Sequence, residues 1–360
     1  MPIQKKMRDS NIELCRIISM LMIICHHAVV HGGALSMGQS RNLWIAYFFV
    51  PGGKICFDTF IAISCWFLVD QTFKANRFLK MWLETLFYSI LTITAAALLG
   101  ASFSKVEWIS AFMPMTGGVQ GYAQTYLVFY MFLPFLTMIA HGMTKKQNQF
   151  MLCVLSVCCF LFRFMSSLAW SEQSIYCRLI LFIFIYFIML YVKRYPLKCT
   201  ENPLIMLSVF IIGWAFLYIY YYCSVSYPEW VGWKWFTIFV CDEGGILFLV
   251  TGLALFFFFK GIHIKSVKAI NLLGSTTFAV ILIHDGHFFR NWTWYLFKTN
   301  EWYYDRFFGV RIVVCAIVIY LICTAIDIIR KYCLEKPLFN VQWMRLICNK
   351  IDCIFIPEEK

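Results

Sequence analysis

Residues 11–31, NIELCRIISMLMIICHHAVVH, are apolar enough to enter a bilayer yet carry Glu13, Arg16, His26, His27 and His31. An ionisable side chain at membrane depth costs roughly 2.5–3.5 kcal/mol on insertion scales, and such residues mark functional interiors. A neutral imidazole titrates near pH 6.5 and can take a proton from a hydroxyl. A guanidinium stays charged and presents a planar fork of donors to a phosphate or a carbonyl oxygen. On a helix, Arg16 and His27 fall within about 20° of one face and about 16 Å apart along the axis. Glu13 lies about 60° from Arg16 and about 40° from His27 on the same wheel. The run therefore has one wet edge, with a cation at one depth and a candidate general base further on. The plainer alternative is a Glu13–Arg16 ion pair at the interface, with histidines facing lipid headgroups.

Three other stretches carry candidate chemistry. In KICFDTFIAISCWFLVD (residues 54–70), Asp58 is expected near the level of His27, where it could orient an imidazole or sit solvated at a helix end. Ser64 has no GxSxG context, so it reads as a packing or substrate-contact residue rather than a nucleophile. In QTFKANRFLKMW, Lys74, Arg77 and Lys80 recur every third residue, which suits a phosphate-bearing ligand and equally a positive-inside signal. FAVILIHDGHFFRNW brings His284, Asp285, His287 and Arg290 into an apolar run, and Asp242 and Glu243 are a further acidic pair. No GxxxxGK[ST], HExxH or GxGxxG occurs, and the 16 cysteines form no CxxC pair, so neither a soluble-type nucleotide site nor a metal is expected.

The elements that must position these groups are membrane helices. Hydrophobic residues make up 61% of the 360 and charged residues 14%, which excludes a soluble globule. The composition predicts an all-α polytopic bundle of about ten transmembrane helices, at 10–31, 54–70, 80–100, 122–142, 149–168, 175–192, 203–223, 236–259, 271–297 and 308–330. Segments 41–50 and 101–120 read as interfacial or re-entrant pieces. Gly32-Gly33, Gly52-Gly53, Gly117-Gly118, Pro196, Pro203 and Pro228 read as punctuation between spans. The first run has polar groups inside and no small-residue cleavage site after it, unlike a signal peptide. The net charge of +12 does not point to nucleic acid, because most Lys and Arg sit in the breaks between apolar runs. With the N-terminus inside, inner segments hold 20 of these and outer segments six, so both termini are expected in the cytoplasm. Residues 1–335 read as a single integral-membrane domain and 336–360 as a short cytoplasmic tail.

Four motifs resemble the integral-membrane acyltransferases of family 3, which acylate surface carbohydrates. NIELCRIISMLMIICHH resembles the opening helix, with Arg16 and His27 as its Arg and His. FDTFIAISCWFL resembles the second span, with Cys65 where the family usually has Gly. YLVFYMFLPFL keeps Tyr126, Tyr130 and Pro134, after Tyr122 where Trp is more typical. FAVILIHD followed by Arg290 resembles the late histidine motif, with Ile281 in place of Tyr. The resemblance implies transfer of an acyl group, commonly acetyl, from cytoplasmic acyl-CoA to a hydroxyl of a cell-surface or lipid-linked saccharide. It implies Arg16, Lys74, Arg77 and Lys80 on the donor and His27 as base, with Asp58 or Glu13 setting its tautomer. His26, Ser64, Tyr126, His284, Asp285 and Arg290 would line the substrate path. No tightly bound cofactor is implied; the partners are membrane lipids, acyl-CoA and the acceptor, in a bacterial cytoplasmic membrane. The rival reading is a secondary transporter or flippase using the same residues as a relay.

Overall fold

The structure, a computed structural model, describes residues 9–38, 40–115, 121–169, 175–226 and 245–355. Among them the chain is helical, with no strand. The long helices are α1 (Ser10–Val30), α2 (Arg41–Leu68), α3 (Ala75–Leu98), α5 (Gly121–Gly142), α6 (Lys145–Ala169), α7 (Ile175–Arg194), α9 (Pro203–Ser226) and α14 (Phe308–Arg330). Between them lie α4 (Lys105–Ala111), α8 (Lys198–Glu201), α10 (Ile246–Gly261), α11 (Lys268–Gly274), α12 (Thr277–His284) and α13 (Arg290–Phe297), and α15 (Lys336–Asn340) and α16 (Gln342–Cys353) follow α14. Six helices among the described residues are long and apolar enough to cross a membrane, beginning at Ser10, Arg41, Ala75, Gly121, Pro203 and Phe308. Of the other expected spans, 149–168 and 175–192 fall within α6 and α7, and 236–259 lies partly outside the described residues.

Two expectations need correction. Residues 41–50 are not an interfacial piece: they are the first turns of α2, which runs unbroken for 28 residues. Pro51 removes one backbone donor inside α2, yet a helix packed on its neighbours tolerates that loss. The stretch 271–297 is not one helix but three short ones, α11 to α13. Ser275 and Thr276 turn their hydroxyls onto the carbonyls of Leu272 (2.7 Å) and Leu273 (2.8 Å), so side chains take up backbone acceptors at the first break. At the second, the Phe289 and Arg290 amides both bond the Gly286 carbonyl. Interrupted backbone is tolerated at membrane depth when protein groups satisfy it.

The chain folds as two compact units. One comprises Met1–Ile63, Arg194–Phe278 and Lys298–Tyr320; the other comprises Ser64–Lys193, Ala279–Phe297 and Leu321–Lys360. In the first, α10 packs along α9, and Ile55, Leu217, Tyr220 and Phe248 form a buried core. Both ends of α1 are tied down. At its start, Asn11 Nδ2 donates to the Phe259 and Ile262 carbonyls, each at 3.0 Å, which satisfies orphan acceptors where α10 ends. Ser10 Oγ donates to Asn271 (2.9 Å) and accepts from the Val267 amide (2.8 Å). At its far end, Thr299 Oγ1 donates to the Ala28 carbonyl at 3.2 Å. The chain thus passes from one end of α1 to the other between Gly274 and Thr299.

In the second unit, α16 packs on α3. The Asp352 carboxylate accepts from the Ala75 amide at 2.7 Å, capping the first turn of α3, and Phe355 packs on Phe73. The C-terminal stretch is therefore docked helix as far as Cys353.

Gly52 and Gly53 do not punctuate; they sit inside α2 where α1 packs against it. A Cβ on Gly53 would lie 2.4 Å from the His26 ring, and one on Gly52 3.3 Å from the Met22 carbonyl. Gly53→Ala is accordingly expected to lower thermal stability in detergent, the overpacking cost of about 1–3 kcal/mol exceeding the helix-propensity gain of about 1 kcal/mol. A melting temperature raised above wild type would contradict this packing.

Candidate functional site

In the first unit, α1 presents the charged edge. Glu13 is buried and Arg16 partly so, with Arg16 Nε 3.9 Å from Glu13 Oε2. Glu13 has room only because position 274 is glycine: a Cβ there would fall 2.3 Å from Glu13 Oε2 and 3.1 Å from Glu13 Cα. Glu13 therefore sits at ion-pair distance from Arg16. It lies about 21 Å along the axis from His27 and is not placed to set that residue's tautomer.

The histidines divide. His26 faces α2: its Nδ1 lies 2.6 Å from the Val50 carbonyl and its ring fills the space Gly53 leaves. A carbonyl partner makes Nδ1 the protonated nitrogen. His27 is half-buried, and its ring centroid lies 5.4 Å from that of His26 and 5.1 Å from that of His31, which is exposed.

Asp58 is fully buried, where a solvated helix end was the plainer expectation. Its level also differs from the expected one. His26 packs on Gly53 and Met22 Sδ lies 3.7 Å from Cys56 Sγ, so α1 and α2 run antiparallel in this register. Counting along α2 puts Asp58 about 10 Å inward of His27 and about 7 Å from the level of Arg16. The error came from starting the second span at residue 54. Gly252 gives Asp58 its place, since a Cβ there would meet the Ile55 carbonyl at 2.7 Å and Asp58 Cβ at 3.1 Å. Thr59 Oγ1 donates to the Gly252 carbonyl at 3.0 Å beside it.

The second unit holds the remaining candidates. Lys74 precedes α3 in extended backbone with its side chain exposed, and its amide donates to Tyr130 Oη at 3.3 Å. Arg77 Nη1 donates to Gln71 Oε1 at 2.6 Å, with the guanidinium over the Tyr130 ring. Lys80 reaches Glu335 at 3.3 Å and lies over the Phe339 ring. The three cations share the start of α3, but Arg77 and Lys80 point at different partners. Tyr126 is buried, stacked parallel to Tyr122 and against Phe182; Ser64 is half-buried. Cys65 is fully buried and its thiol lies 3.8 Å from the Phe182 carbonyl, so sulfur fills the place the family usually leaves to glycine.

His284 ends α12, buried, with Nδ1 2.6 Å from the Val280 carbonyl one turn back. Asp285 opens the helix break and accepts two bonds from Arg290, Nε to Oδ1 at 2.5 Å and Nη2 to Oδ2 at 3.2 Å. This fork crosses the interruption and holds its two sides together. His287 is exposed. Asp242 and Glu243 lie outside the described residues.

One cluster escaped the sequence reading. Asp327, fully buried, accepts from Tyr88 Oη (2.9 Å) and Arg330 Nε (2.9 Å) and pairs with Lys331 Nζ (2.7 Å). Arg330 also reaches Glu84 at 3.3 Å and Glu335 at 3.0 Å, and Glu335 holds Lys80. Counting Arg330 and Lys331 only as orientation charges hid this network. The available signal was Asp327 itself, a carboxylate in the apolar run one turn before both.

The chain thus combines apolar helices with two intramembrane polar clusters and an Arg–His edge. Among curated proteins and solved structures, none matches it. A family model described as an acyltransferase domain (Acyl_transf_3) matches residues 9–328, which takes in every helix from α1 into α14. The chain belongs to that family and is a membrane acyltransferase.

Proposed function

We propose that this acyltransferase moves an acyl group, in first place acetyl, from cytoplasmic acyl-CoA to a hydroxyl of a cell-surface or lipid-linked saccharide. The observation that carries the reading is the edge of α1, where a carboxylate-paired guanidinium and an imidazole share one face about 16 Å apart. Arg16 holds the donor, with Lys74, Arg77 and Lys80 assisting at its phosphates. His27 takes the proton from the acceptor hydroxyl as that oxygen attacks the thioester carbonyl; the carbon–sulfur bond then breaks and CoA leaves as the thiol. Glu13 positions Arg16, and buried Asp58 places negative charge between the two levels. His26, Ser64, Tyr126, His284, Asp285 and Arg290 shape the acceptor path.

We place the protein in a bacterial cytoplasmic membrane with ten spans and both termini inside. The excess of Lys and Arg in the inner segments supports this orientation. The anchoring of α1, with residues 259–271 at its start and Thr299 at its far end, supports one crossing between those segments.

A saccharide transporter or flippase is the second reading, favoured by the interrupted stretch from α11 to α13, because broken helices line substrate paths in transporters. One assay separates the two. Purified protein in liposomes is incubated with radiolabelled acetyl-CoA and candidate glycolipids. Label on the glycolipid, dependent on Arg16 and His27, is the expected result. Release of CoA without labelled acceptor would mean hydrolysis instead, and glycolipid movement without either would mean transport.

A further inference from the structure

His27 and His31 are four residues apart at the end of α1, so their side chains stack on one face one turn apart. A ring nitrogen of each lies within 4.8 Å of the other, with ring centroids 5.1 Å apart. Two histidines at this spacing on a helix are the pair that HExxH sites use, with a further ligand, to hold zinc, and water can occupy the positions the pair leaves open. Nitrogens at about 2.0–2.1 Å from a tetrahedral ion stand about 3.3 Å apart, so a modest side-chain rotation closes the pair. The backbone beneath is fixed: the amides of His31 and Gly32 both bond the His27 carbonyl, at 2.8 and 3.2 Å. The C-terminal end of a helix also favours a cation through its dipole. His26 cannot join, since Val50 and Gly53 hold its ring against α2. His31 is exposed, so an ion has a route in.

We propose that His27 and His31 form a two-histidine site for a divalent transition cation of the zinc class, and that its occupation inhibits acyl transfer. HAVVH has the HxxxH spacing without the glutamate of HExxH, and no CxxC accompanies it, so the common zinc motifs do not mark this pair. Zinc binds the neutral imidazole through the lone pair that would otherwise accept the hydroxyl proton, so a metallated His27 is not a base. The inhibitory half rests on the role of His27 proposed above; the binding half does not.

The test uses untagged full-length protein in detergent, its exposed cysteines alkylated so that thiols such as Cys153, Cys199, Cys333 and Cys353 do not bind the probe. Zn2+ alone is titrated calorimetrically into wild type, His31→Ala and His31→Glu. Wild type is expected to show a site whose affinity falls at least about tenfold in His31→Ala, since even outer-shell changes cost that much. His31→Glu, which keeps a ligand atom, should retain most of it. In the transfer assay, Zn2+ should inhibit wild type, EDTA should reverse this, and His31→Ala should run at the basal rate and resist the ion. Equal Zn2+ affinity in wild type and His31→Ala would overturn the site. Lost binding in His31→Ala beside zinc-insensitive transfer by wild type would overturn the inhibition. A protein with no transfer activity would refute the acyl-transfer reading while the calorimetry still decided the site.

Discussion

Replacing His27 with alanine is expected to lower acyl transfer about 10²–10⁴-fold, the usual contribution of a general base. The loss should fall on kcat, because in the proposed role the imidazole acts on the acceptor hydroxyl in the transition state rather than in holding substrate. His27 is half-buried at the end of α1, away from the tight contacts around Gly53 and Gly274, so the variant should express and elute as wild type does. Arg16→Ala gives the complementary signature. If its guanidinium holds the donor as proposed, KM for acyl-CoA should rise more than kcat falls. It also removes the guanidinium that stands 3.9 Å from buried Glu13, which makes some loss of stability part of the expected result. Arg16→Lys keeps the charge and loses the fork, and should fall between. Transfer by His27→Ala at the wild-type rate, at equal expression, would remove His27 as the base.

The geometry of the candidate Arg–His edge was legible because α1 carries it within one helix. The spacing of Glu13, Arg16 and His27 fixes their angles and depths without any knowledge of neighbours, and the helix runs from Ser10 to Val30 as the pattern required. What depended on a second element was less legible. Gly52-Gly53 looks like a break in one dimension, and only the approach of Met22 and His26 shows that it is a contact. The consequence spread: a second span begun too late moved Asp58 outward by about two turns and paired it with the wrong level of α1. The interrupted stretch 271–297 was hidden for another reason. Its apolar composition is that of a span, while the breaks depend on hydroxyls bonding carbonyls one turn back and on the Asp285–Arg290 fork, none of which changes hydropathy. The family match covers 9–328, so the motif order was a surer guide than the span boundaries.

Asp327→Ala is expected to destabilise the protein by about 3–5 kcal/mol, the cost of breaking a buried ion pair from one side. Asp327 is fully buried and serves three donors, from Tyr88, Arg330 and Lys331. Its removal leaves a phenol without its acceptor and a guanidinium, itself 5% exposed, with Glu84 and Glu335 as its remaining acids. Asp327→Asn should do less harm, because the amide oxygen can still accept from Tyr88 while the charge is lost. Truncating the periphery should matter least: Lys80, 40% exposed where it meets Glu335, belongs to a pair worth about 0–1 kcal/mol. The order Asp327→Ala, Asp327→Asn, Lys80→Ala, from most to least destabilised, is readable from thermal unfolding in detergent. If Asp327→Ala melts within about 0.5 kcal/mol of wild type, as a surface change would, the network does not hold α14 to α3. The functional arm points the same way. Glu335 pairs with both Arg330 and Lys80, so if Lys80 assists the donor as proposed, loosening this end should also raise KM for acyl-CoA and leave kcat nearly unchanged.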